Sequence, residues 1–270
     1  MTGTLAHVAL AEAALHLPQL PGDLLALVTR ERLAFRLGAM LPDLSFYERL
    51  WKPGLALFLK REIDLGTFGE QLHRERPLDF LIQLVRTARS DFQRTVALGV
   101  ATHGALDLVI HPYIATLVAR QSPARCPITW HRVIEAELDR FILRERLGVT
   151  DAGRSDAWRN MARPALEGLA RREDLTRWYA ASVRAVHPAH PAGEQRIIRW
   201  LEGLVLFALY ERLRPTPTST SVFSTATVAS ELATKALTLA AGALTTTFDV
   251  LQGTRPADAL RSSLPDRSWS

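Results

Sequence analysis

The chain has 270 residues, 47% apolar and 23% charged, enough for a substantial core in one large domain or two small ones. Its net charge of +5 rests on 33 basic residues, only three of them Lys, spread along the chain beside acids at helical spacing, so nothing signals nucleic acid. A single Cys excludes an internal disulfide framework, and no uncharged run reaches membrane-spanning length: the nearest, 232–251, holds Lys235 and Asp249.

Ala, Leu, Arg and Glu dominate, and strand-like alternation is nearly absent, which predicts an all-α fold. The first helix is expected over 4–17 and carries His7; His16, nine residues on, falls half a turn out of phase. A second helix over 23–37 is expected to stop at Gly38, with Pro42 following, which leaves Asp43 in a loop. Residues 44–65 are irregular and rich in aromatics, suited to a packed loop or a pocket wall. A short helix near 67–75 carries His73, and another runs over 77–89. Ser90-Asp91 reads as the cap of a long helix bearing His103 and Asp107, expected to end or bend at His111 before Pro112.

Thr129 is placed to cap the next helix, which runs to Leu147 before Gly148. Amphipathic helices follow near 155–171, 173–186 and 194–213, without donor pairs like those upstream. Residues 1–213 are therefore expected as one multi-helix, orthogonal or bundle-like domain. A Ser/Thr/Pro linker at 214–224 leads to a C-terminal helix over 225–252 and a flexible tail over 253–270. The start of the chain lacks the basic and apolar pattern of a signal peptide, so a cytoplasmic location is expected.

Chemistry concentrates between 97 and 139. His103 and Asp107 are four apart, His111 is four further on, and His131 and Glu135 are again four apart. On a helix, i and i+4 project from one face, so each pair aims two metal-competent donors at one point. Donors set among Ala, Leu, Val and Ile must be paired or ligated if buried. With His7, Asp43 and His73 they form a thiol-free His/carboxylate set, which points to zinc in a catalytic rather than a structural site. A di-iron carboxylate bundle is disfavoured, because those sites use Glu-x-x-His and here the order is His-x-x-x-Glu.

The segments Leu5-Ala6-His7-Val8-Ala9, Gly38-Ala39-Met40-Leu41-Pro42-Asp43, Ala97-Leu98-Gly99 through His103, Asp107 and His111-Pro112, and His131-Arg132-Val133-Ile134-Glu135 occur in that order. In this the chain resembles the zinc-dependent phospholipase C family, whose metal cluster is shared by single-strand-specific zinc nucleases. The resemblance implies a phospholipase C-like all-α fold and a di- or trinuclear zinc cluster. It places one zinc on Asp43, His73, His103 and Asp107, a second on His111, His131 and Glu135, and a third on His7 with Asp107 as bridge. In secreted relatives the mature N-terminal residue completes the third site, and no cleavage site that would create it is visible here. Choline-caging residues have no clear counterpart.

The implied activity is phosphodiester hydrolysis by a metal-activated water, with Asp43 as ligand and general base and Glu135 as ligand. The substrate is expected to be a phosphodiester such as a phospholipid, a nucleotide or another small diester. A non-catalytic helical protein that keeps the metal shell for stability, with its C-terminal helix as a docking surface, is the rival from another class.

Overall fold

The computed structural model of the chain describes residues 4–45, 68–120, 131, 134–135, 137–138, 141–145, 148, 160, 163–170, 173–188, 226–265 and 269. Among them there is no strand. The helices are α1 (Thr4–Ala14), α2 (Gly22–Arg30), α3 (Arg32–Leu44), α4 (Phe68–Arg74), α5 (Pro77–Thr87) and α6 (Asp91–Ala119). They are followed by α7 (Arg163–Ala170), α8 (Glu173–Val186), α9 (Ala226–Leu251), a 3-10 turn (Ala257–Ala259) and α10 (Leu260–Ser263). Helical backbone also occurs at 131, 134–135, 137–138 and 141–145. None of the described helices is long and apolar enough to cross a membrane.

Helix α6 is the centre. Its start carries the expected cap in full: Ser90 Oγ accepts the Gln93 N–H at 3.2 Å, and Gln93 Oε1 accepts the Ser90 N–H at 3.3 Å. Such reciprocal capping stabilises a helix by roughly 1 kcal/mol. Every residue from Thr95 to Leu108 is buried, as befits a helix apolar on all sides. Helices α3 and α9 pack against it, and α1 packs on α3, α6 and α9.

Three local expectations are corrected here. The chain over 23–37 is two helices, broken at Glu31, whose φ of −112° and ψ of 38° leave the helical region. Gly38 does not end a helix; α3 runs through it and through Pro42 to Leu44, so Asp43 lies in the last helical turn and not in a loop. The glycine is there for a crossing. A Cβ on Gly38 would lie 2.1 Å from Val96 O, and one on Gly99 would lie 2.3 Å from Phe35 O. Helix α6 likewise does not stop at His111 but continues through Pro112 to Ala119. A proline inside a helix costs about 3 kcal/mol, and burial of Leu108, Ile110, Ile114 and Leu117 around it offsets that cost.

The first helix ends at Ala14, three residues short of the expected 17, whereas the stop at Gly148 agrees. Gly148 adopts φ of 62° and its N–H bonds Arg144 O at 3.0 Å, a left-handed helix stop. Helix α9 packs back on α6. The end of the chain departs from the expectation of a flexible tail: Leu260, Leu264 and Trp269 are fully buried. The aromatic stretch beyond Ser45, Thr129, the helix expected over 194–213 and the linker at 214–224 lie outside the described residues.

Candidate metal centre

Five parts of the chain supply the site. Helix α1 carries His7, α3 carries Asp43, α4 carries His73, α6 carries His103, Asp107 and His111, and the helical residues near 135 carry His131 and Glu135. All eight predicted donors come together. Their ligand atoms form three groups, each within 4.8 Å: Asp43 with His73 and His103, His7 with His103 and Asp107, and His111 with His131 and Glu135.

Backbone carbonyls orient two of the imidazoles. His73 Nδ1 donates to Gly69 O at 2.7 Å, and His103 Nδ1 donates to Ala39 O at 2.8 Å. A carbonyl only accepts, so both rings carry a proton on Nδ1 and turn Nε2 inward. The two Nε2 atoms lie 3.2 Å apart. Asp43 Oδ1 stands 3.7 Å from His73 Nε2 and 4.0 Å from that of His103. While the rings are neutral, these are acceptors facing acceptors in a dry interior, an arrangement that calls for a cation.

Asp107 joins the groups. Its Oδ2 lies 3.0 Å from His103 Nε2 and 3.5 Å from His73 Nε2, and its Oδ1 lies 3.2 Å from the Nε2 atoms of both His7 and His111. Both oxygens are buried, yet neither has an aligned hydrogen bond. One carboxylate with an oxygen toward each cluster of nitrogens is the geometry of a bridging ligand. Further out, His131 Nε2 meets Glu135 Oε1 at 3.0 Å, and the His111 and His131 rings are 5.3 Å apart. The donor chemistry fits zinc, which favours imidazole and carboxylate.

Electrostatics follow from burial and these carboxylates. Against the cost of burial, Asp107 and Asp43 raise His103 to about 9. Burial lowers His73 to about 4, with Asp107 opposing the shift and the charge of His103 adding to it. Burial also opposes ionisation of Asp107, but His103, His111 and His7 around it hold it well below the usual carboxylate range. In the metal-free protein, then, a proton on His103 occupies the place a cation would take.

A small cleft, with a cavity volume of about 20 Å³, opens beside the cluster. Its polar lining is His7, Asp107, His111 and Glu135, and its apolar lining is Ala6, Ile110, Ile114, Leu138 and Ile142. Asp43 is not part of its wall.

Two supports were missed in the sequence. Buried Glu12 on α1 accepts hydrogen bonds from Arg32 Nε at 3.0 Å and Arg36 Nε at 2.6 Å, which ties the helix of His7 to the helix of Asp43. Nothing in spacing marks Glu12 as their partner, since the contact spans two turns of chain reversal. The other is Trp269, whose backbone N–H donates to His73 O at 2.7 Å. Its only sequence signal was a large aromatic in a segment otherwise short of them.

A family model described as zinc dependent phospholipase C matches residues 6–187, a stretch that includes all eight donors. No curated protein and no solved structure matches the chain significantly.

Proposed function

Because the chain belongs to the zinc-dependent phospholipase C family, we propose that it hydrolyses phosphodiester bonds at a zinc cluster held by the eight donors. One observation carries the reading: the ligand atoms of Asp43, His73 and His103, and those of His7, His103 and Asp107, lie within 4.8 Å of one another in a buried space, with Asp107 reaching toward His111 as well. Zinc at such a site supplies charge neutralisation at the phosphate and acidification of water.

The chain's own residues do the rest. His7, Asp107, His111 and Glu135 give the cleft its polar lining, beside which a phosphate would be bound. Ile110, Ile114, Leu138 and Ile142 also line the cleft and suit an apolar ester group, which supports a lipid-like diester over a strongly polar one. Asp43, near both His73 and His103, is assigned as a ligand. Because it lies outside the cleft wall, its second assignment, as the group that takes the proton of the attacking water, requires that water to lie on the side of the cluster away from the cleft lining.

The test is hydrolysis of a chromogenic phosphodiester, alongside a short-chain phospholipid, by zinc-loaded and chelator-stripped protein. Release of product that disappears on stripping and returns with zinc is the expected result. A zinc-loaded protein that cleaves neither substrate leaves the metal as a structural element and defeats the hydrolase reading.

A further inference from the structure

The family match ends at 187, and the described residues from 226 onward form a separate stretch of chain that returns to the site. Its last described residue, Trp269, is fully buried. Three contacts define its position. The backbone N–H donates to His73 O at 2.7 Å. His73 lies in the last turn of α4, where carbonyls lack helical partners, so this bond satisfies one of them on a ligand residue itself. The indole lies 6.3 Å, centroid to centroid, from the His103 ring, which also stacks on His7 at 4.1 Å and meets His73 edge-on at 5.5 Å. Gly104, next to His103, leaves the room that the indole fills: a Cβ there would come within 2.4 Å of it.

The indole Nε1 is buried without a hydrogen-bond partner. An unsatisfied buried N–H is costly, so packing and the backbone bond, and not a polar need of the side chain, hold Trp269 in place. His73 and His103 are the two ligands whose inward Nε2 atoms stand 3.2 Å apart. Holding two such nitrogens together is the task of groups that orient metal ligands from outside the coordination sphere.

We infer that Trp269 is a positioning residue of the metal centre, supplied by the C-terminal stretch outside the family-matched region, and that it holds His73 and His103 as a ligand pair. The inference rests on the zinc-binding reading above. It adds that the matched region alone does not complete the centre.

The test uses the full chain, stripped of metal, with zinc affinity read by competition against a chromogenic chelator and ligand geometry read from the visible spectrum of the cobalt-loaded protein. Trp269→Ala should weaken zinc binding by about 10- to 100-fold and alter the cobalt spectrum, whereas Trp269→Phe, which keeps a ring and removes the unsatisfied N–H, should stay within a factor of about three of the parent. If Trp269→Ala does not fold, Trp269→Leu takes its place; it keeps apolar bulk without a flat ring and should still lose at least about threefold in affinity. A residue that only stabilises the fold would lower the melting temperature of the stripped protein and leave affinity and spectrum at parental values; that result overturns the inference. A parent chain that binds no zinc overturns the zinc-binding reading itself, so the two failures are distinct.

Discussion

At the scale of single residues, the account turns on two carboxylates with different tasks. Asp107 stands between four imidazoles, one oxygen toward His103 and His73 and the other toward His7 and His111. Asp107→Asn removes a charge and a bridge together, so metal content and stability should fall in one step. Asp43→Asn should retain most of the metal and depress turnover by roughly two to four orders of magnitude, the span of a general base. Metal analysis and turnover on the same preparations check the split; an Asp43→Asn protein as depleted as Asp107→Asn would reduce Asp43 to a ligand.

The His103 proton gives a second residue-scale expectation. Its group is raised to about 9 in the metal-free protein, so at pH 7 zinc must displace a proton from Nε2 to bind there. Calorimetric titration in buffers of different ionisation enthalpy should show proton release at pH 7 that fades above about pH 9, where the site is already deprotonated. Apparent affinity should weaken as pH falls from 9, because proton and metal compete for one lone pair. Release that does not change across this range would contradict the assignment.

At the scale of elements, the donors were legible wherever one helix carried them. His103, Asp107 and His111 share a face by periodicity alone, and Ser90 announced the start of their helix through a cap that needs only local chain. Misreadings arose where tertiary contact overrode a local signal. Gly38 looks like a stop because glycine ends helices, yet here it serves the contact between α3 and α6. Pro112 looks like a terminator, yet the burial of its neighbours carries the helix past it. The Glu12 pairing and the Trp269 contact join residues far apart in sequence, and no local pattern encodes such distances.

That crossing has a measurable consequence. Gly99→Ala places a methyl 2.3 Å from Phe35 O and must push α3 away from α6. We expect a stability loss of about 3 kcal/mol, the upper end of ordinary overpacking, with weakened zinc binding because Ala39 O, which orients His103, rides on α3. Denaturant unfolding of the stripped protein, paired with zinc titration, checks both. An unmoved unfolding midpoint would show that the helices have room to part.

At the scale of the whole molecule, helices distant in sequence gather around α6, with α1 and α3 packed on it and α4 packed on α3 and α5, and bring their polar residues to the stretch from His103 to His111. α1 brings His7, α3 brings Asp43, α4 brings His73, and the C-terminal stretch closes on α4 and α6 through Trp269. An interior built this way buries six of the eight donors among apolar side chains, with His111 and His131 partly exposed, a cost that only ligation or pairing offsets. Metal binding and folding are therefore linked, and each stabilises the other.

The most direct measurement is the zinc content of the purified chain, by elemental analysis after mild dialysis. At least about two zinc ions per chain are expected, since the donors form three groups, two of them sharing His103 and the third reached by Asp107 through His111, and such shells bind tightly. Less than about one metal ion per chain, in protein shown to be folded and helical, would contradict it, given the affinity expected of a His/carboxylate cluster.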